Sequence, residues 1–207
     1  MTPAREPHQP LHERTSELLA RIAAEQDGAT IGFGELIDRF GRRAFALLLV
    51  IAVVPAFIPS PVGAGAISGP LLAFAGAQIL FGREHPWLPR WLRDKRIERA
   101  SIASFNARFG RFLRGLERMC RVRWPFTLEG HGYRITGLLI IGHGIALALP
   151  IPLTNYPFGF VLLLVAIAML EGDGLILAIG WALMSACIAL VIGVSDLIWR
   201  TLGQWLG

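Results

Sequence analysis

Few polar side chains interrupt the long apolar runs of this chain, and chemistry inside those runs has to reside on them: Ser60, Ser68, Gln78, His143, Thr154, Asn155, Ser185 and Ser195. Amide and ionisable groups are costly in hydrocarbon, which makes them candidate site residues. Gln78 and Asn155 stand out, because each follows a Pro-x-Pro break, Asn155 directly after Pro150-Ile151-Pro152 and Gln78 one helix beyond Pro59-Ser60-Pro61. An interhelical hydrogen bond accounts for such amides as well as ligand contact does. His143 lies in Gly142-His143-Gly144, where a structural histidine is the plainer reading and a proton carrier the sharper one. Glu171 and Asp173, in Glu-Gly-Asp-Gly, are a candidate carboxylate pair for ion coupling, although polar and glycine residues between apolar runs read first as a turn.

The elements that position these residues belong in a membrane. Hydrophobic residues make up 54% of the 207 residues and charged ones 17%, with a mean hydropathy of +0.53, too apolar for a soluble domain of this length. Of 20 Lys/Arg, six lie in 1–43, thirteen in 83–134 and one at Arg200, so 44–82 and 135–199 carry none. Those two stretches read as membrane-embedded, with the basic loop between them cytoplasmic. Apolar runs fall at roughly 44–58, 66–82, 136–149, 157–170 and 175–199. At about 1.5 Å per residue the first four fall short of a hydrocarbon core about 30 Å thick, so they are half-spans, tilted spans or re-entrant segments; only the fifth is long enough to cross. The prolines break each pair of runs, and non-helical backbone at that depth must be buried in protein or line a polar cavity.

A shift of 91 residues lays Gly41-Arg42-Arg43 on Gly132-Tyr133-Arg134 and Ile58-Pro59-Ser60-Pro61 on Leu149-Pro150-Ile151-Pro152. With a one-residue adjustment, Gln78 to Gly82 lies beside Ala168 to Gly172. Matched broken segments in two halves point to a transporter-like site at the repeat interface, and an inverted pair of hairpins is the expected relation. The expected fold is therefore an all-α polytopic membrane protein. Polar amphipathic helices (1–40, with Leu11 to Glu25 and Thr30 to Phe40 helical and Thr30 an N-cap) precede a first membrane hairpin (41–82). A basic cytoplasmic loop (83–134) then leads to a second hairpin and final transmembrane helix (135–202). Within the loop, Phe105, Phe109, Phe112, Leu116 and Met119 fall at helical spacing opposite Arg108, Arg111, Arg114 and Arg118. That pattern suits a helix lying on an anionic lipid surface better than one on nucleic acid.

Catalytic constellations are missing: there is no Gly-x-Ser-x-Gly elbow, no phosphate-cradling loop with Lys, no paired Asp motif and no Cys/His metal spacing. An enzyme, a metal and a cofactor are not expected, nor is a disulfide between Cys120 and Cys187, which lie in different environments. The N-terminus lacks the apolar core and cleavage site of a signal peptide, so no leader is expected.

The stretches Phe33-Gly34-Glu35-Leu36-Ile37-Asp38-Arg39-Phe40-Gly41-Arg42-Arg43, Gln78-Ile79-Leu80-Phe81-Gly82-Arg83 with Pro86-Trp87-Leu88-Pro89, Arg123-Trp124-Pro125, Pro150-Ile151-Pro152 with Asn155, and Glu171-Gly172-Asp173-Gly174 together resemble the ExoD family of bacterial membrane proteins. Gln-x4-Arg-x2-Pro-Trp-Leu-Pro is the most specific of them. The resemblance spans roughly residues 15–200 and implies a role in exopolysaccharide production or export at the inner membrane, with no agreed catalytic residues. Two function classes follow. One is a transporter or lipid-linked-glycan handling protein whose substrate or ion pathway runs past Pro59, Pro61, Gln78, His143, Pro150, Pro152, Asn155, Glu171 and Asp173. The other is a non-transporting scaffold acting through the basic loop, with a second copy of the chain as a further candidate partner.

Overall fold

The computed structural model describes residues 15–25, 28–57, 65–104, 106–107, 115, 120–121, 123–149 and 155–206. Among them the chain is mostly helical. It divides into two compact units, Met1–Leu36 with Pro89–Met119, and Ile37–Leu88 with Cys120–Gly207.

In the first unit, α1 (Thr15–Ala24) buries Leu18, Leu19 and Ile22. Residues 30–40 depart from the expected single helix: Thr30–Gly32 is a strand, β1, and α2 (Phe33–Phe40) starts three residues later. β1 pairs antiparallel with β2 (Arg96–Glu98), Thr30 opposite Glu98. The β-branched Thr30 and Ile31 suit an extended backbone, and a partner strand distant in sequence supplies the hydrogen bonds, which no local pattern reveals. The Phe33 N–H continues the ladder to the Lys95 carbonyl at 2.7 Å. Arg99 is buried, its guanidinium donating to the Ile22 carbonyl and to Glu25 Oε2 at 3.3 Å.

The second unit holds α3 (Ala44–Val53), continued by a 3-10 turn to Phe57, and α4 (Gly65–Leu80), α5 (Gly130–Ala148), α6 (Asn155–Glu171) and α7 (Gly174–Leu206). The closest packing joins α4 to α5, and α3 lies against α6. A seam of small residues makes the first pairing possible. A Cβ on Gly65 would strike the Leu147 carbonyl, one on Gly69 would come within 2.5 Å of the Gly144 carbonyl, and one on Gly76 within 2.8 Å of the Gly137 carbonyl. Contacts that descend one helix as they climb the other mean α4 and α5 are antiparallel, backbone against backbone.

The described flanks of the two breaks lie at the same end of this unit, whereas the sequence expectation is an inverted pair dipping from opposite sides. The start of α3 lies beside the start of α5, with Phe45 and Tyr133 ring centroids 6.3 Å apart. At the other end Phe57 packs on Tyr156 and Phe160, at 6.4 and 5.1 Å. The antiparallel glycine seam forces this: with α4 leaving where α5 arrives, the two breaks cannot lie at opposite ends. The second helix of each hairpin also finishes alike. Gly82 and Gly172 have φ of +72° and +73°, and each is followed by a backbone bond to the fifth residue back, Arg83 N–H to the Gln78 carbonyl and Asp173 N–H to the Ala168 carbonyl. These are two left-handed C-terminal caps at the paired positions.

Among the described residues one helix is long and apolar enough to cross a membrane: Gly174–Asp196 of α7, with 23 residues at mean hydropathy 2.6. Only 17% of that window is buried, so it is not the enclosed core helix of a soluble protein. Other helices of this unit expose large apolar side chains along one face each: Ile67, Leu71 and Phe74 on α4, Ile135, Leu138 and Ile145 on α5. Exposed apolar surface repeated from helix to helix suits a lipid surround, in keeping with a membrane-associated chain.

Candidate functional site

The flanks of the two breaks converge. Gly65, the first residue of α4, lies against the carbonyl of Leu147 near the end of α5, and a Cβ there would be 3.1 Å from Oδ1 of Asn155, the first residue of α6. Pro59, Pro61, Pro150 and Pro152 lie outside the described residues, as do Arg108, Arg111, Arg114 and Arg118.

One turn inside that end lie two fully buried polar side chains. His143 Nε2 is 3.2 Å from the Phe158 carbonyl, and its ring packs tilted against the Phe158 ring, centroids 4.4 Å apart. A carbonyl only accepts, so Nε2 carries the hydrogen and Nδ1 of the neutral ring is an acceptor. Nδ1 has no partner, and neither has the hydroxyl of Ser68. The two face the same interior. Gly69 and Gly144 oppose each other across the seam, and Ser68 and His143 are their preceding neighbours. On antiparallel helices a step of about 100° back from each swings both side chains to the same side.

Gln78 stands apart from Asn155. It lies 13 residues along α4 from Gly65, about 20 Å from the breaks, and its amide clamps the next segment: the Trp87 N–H donates to Oε1 at 2.5 Å and Nε2 faces the Trp87 carbonyl at 3.5 Å. Trp87 in turn meets Phe74 edge-on at 6.0 Å. The amide reads a backbone, which is why Gln and Pro-Trp occur together in this motif.

Asp173 is fully buried and occupied. Oδ1 accepts from the N–H groups of Leu175 and Ile176 at 3.0 and 3.1 Å, as an N-cap of α7, and Oδ2 accepts from the Arg121 N–H at 2.9 Å. Arg123 Nε lies 3.1 and 3.2 Å from the two oxygens. Burial pushes the carboxyl up, but these donors outweigh it and hold it below the usual carboxylate range. Asp173 thus anchors this corner, and an ion would have to compete with these donors for its carboxylate.

The family profile described as "Exopolysaccharide synthesis, ExoD" matches residues 15–193. The chain belongs to the ExoD family. Protein ExoD of Rhizobium meliloti is 30% identical over 176 residues, covering 83% of this chain and 73% of that protein. An uncharacterized Synechocystis protein is 25% identical over 168 residues, 80% of this chain and 79% of that one. No solved structure matches. Two of the ExoD-like stretches now have a physical role, Gln78 with Trp87 and Arg123 with Asp173. Ser68 stands among the polar residues of the apolar runs but is not singled out there. Its signal was its place in Gly65-x-x-Ser68-Gly69, a polar residue inside a helix-contact stripe.

Proposed function

We propose that this ExoD-family protein works in exopolysaccharide synthesis or export as a multi-pass protein of the bacterial inner membrane, transporter-like and not an enzyme, with a polar site between its two Pro-broken hairpins. The observation that carries this is the meeting of Gly65, Leu147 and Asn155 where both breaks begin and end. The hairpins are a duplicated pair. The left-handed caps at Gly82 and Gly172 support this, as does the cross-packing of α4 on α5 and α3 on α6 that a two-fold relation generates. Both hairpins open toward the basic loop, and at about 21–29 Å they stop short of the far side of a 30 Å core. They are read as re-entrant from the cytoplasmic face while α7 crosses.

The alternative is a scaffold that recruits an exopolysaccharide machine through the loop of 83–134, whose thirteen basic and five acidic residues also suit anionic lipid through Arg108, Arg111, Arg114 and Arg118. A secretion assay separates the two in cells lacking their own copy. Asn155→Ala should cut secreted exopolysaccharide at least tenfold with protein level unchanged, while replacing those four arginines with glutamine leaves most of it. The opposite pattern selects the scaffold.

Topology is checked at Cys120, in a Cys187→Ser background. Burial pushes this thiol up, the Glu171 and Asp173 carboxylates push it further, and Arg123 only partly opposes them, leaving it at about 11. The thiolate is the reactive form, so an impermeant maleimide should label inside-out vesicles slowly at pH 7 and about 100-fold faster at pH 9. Labelling of intact cells from the periplasmic side sinks the topology.

A further inference from the structure

We infer that Ser68 and His143, beneath the converging N-termini of α4 and α6, form a site for a monoanionic oxyanion, a carboxylate or phosphate oxygen, that enters together with one proton. This rests on the transporter-like reading and adds the chemical class of what the site takes.

The first turns of α4 (16 residues) and α6 (17 residues) meet at Gly65 and Asn155, where α5 also ends at the Leu147 carbonyl, so helix ends of both signs lie together and their potentials largely cancel. The helix ends alone select no anion. The second observation is the pair of unpartnered, fully buried polar groups on the same interior side, the Ser68 hydroxyl and His143 Nδ1. Buried groups of this kind are costly unless something binds them. Ser68 is one turn into α4 on the face of Gly65, and its hydroxyl can donate to an anion. His143 cannot as it stands, because Nε2–H is committed to the Phe158 carbonyl and Nδ1 offers a lone pair. It becomes a donor only by taking a proton from solvent at Nδ1.

Each partner needs the other. An imidazolium buried alone is expensive, and so is a buried anion; together they carry no net charge. No other group on the packed elements can take that role. α3 and α4 carry no titratable side chain, and α5 carries besides His143 only His131, Tyr133 and Arg134 at its opposite end. α6 has Tyr156 at the break and Glu171 at its far end, and α7 has Cys187 at this level and Asp196 beyond, exposed and paired with Arg200 at 2.8 Å. The site therefore takes up a proton with the anion.

The full-length protein in phosphatidylcholine nanodiscs is titrated with dimethyl phosphate, a phosphodiester that stays a monoanion at every pH used, by calorimetry in two buffers of different ionisation heat. Expected are about one proton taken up per dimethyl phosphate bound at pH 7.5 and tighter binding as pH falls. His143→Gln should lose the uptake, Ser68→Ala should weaken binding about tenfold, and His131→Gln, at the other end of α5, should change neither. Should His143→Gln fail to fold, Ser68→Ala carries the test. Adding phosphatidylglycerol to the discs distinguishes sources: competition with dimethyl phosphate assigns the site to lipid headgroups, no competition to soluble anions. Binding without proton uptake, or no binding, overturns the inference. If Asn155→Ala still abolishes secretion in that case, the transporter-like reading survives, and only the cargo is wrong.

Discussion

Leucine at Gly69 or at Gly137 should leave no folded, monodisperse protein after detergent extraction. A Cβ at Gly69 already comes within 2.5 Å of the Gly144 carbonyl, and one at Gly137 strikes the backbone of Leu80. These obstacles are main chain within helices, so no rotamer change clears them, and the helices must part along their length. Even alanine should cost about 1–3 kcal/mol at either position, read as a shift in the midpoint of denaturant unfolding. Gly193 provides the control on the outward side of α7, where a Cβ meets nothing within 4 Å. There alanine should be neutral or stabilise by up to about 1 kcal/mol. If Gly69→Leu extracts and unfolds like the parent, α4 and α5 do not pack as described.

That seam shows how far the sequence could be read. The runs that became α3 to α7, their breaks and the long last helix follow from apolar run length and Pro placement, signals local to each segment. Which helix meets which does not, because glycines at Gly65, Gly69 and Gly76 read as helix breakers until their partners on α5 are known. The same applies to β1: Thr30–Gly32 needs Arg96–Glu98, some 65 residues away in sequence, to be a strand. Among the site residues, His143 and Asn155 were legible as polar groups in apolar runs. Ser68 was underrated because one hydroxyl in a helix normally bonds its own backbone. Gln78 and Asp173 were legible only in part, for a common reason. A buried amide or carboxylate signals a demand for partners, and sequence alone does not say whether a ligand or the Trp87 and Arg121 backbone meets it.

Asp173→Ala should be the most damaging change outside the seam, because one carboxylate joins two distant parts of the chain. It caps α7 through the N–H groups of Leu175 and Ile176 and ties that cap to the segment carrying Arg121 and Arg123. The surrounding backbone leaves no slack. Trp124, between Arg123 and Pro125, is held at φ 53° in the left-handed region that a bulky residue before proline avoids. A Cβ on Gly174 would strike the Trp124 carbonyl and Thr127 Oγ1. Loss of the cap costs about 1 kcal/mol and loss of the charge-assisted bond to the Arg121 N–H about 1.5–3. Arg123 adds little more, since it is 41% exposed and screened by water. The total expected for Asp173→Ala is about 2–4 kcal/mol. Asp173→Asn, which keeps a neutral acceptor for Leu175 and Ile176, should lose about half of that. The pH dependence has a fixed sign. A carboxyl held below its ordinary 3.8 in the folded chain contributes its full stabilisation above that value and loses it as pH falls further, while the Asn variant has no such loss. Unfolding midpoints of parent and Asp173→Asn should therefore differ at pH 7 and converge as pH drops below 3.8. A constant difference across that range would mean that the carboxylate charge does not hold this corner together.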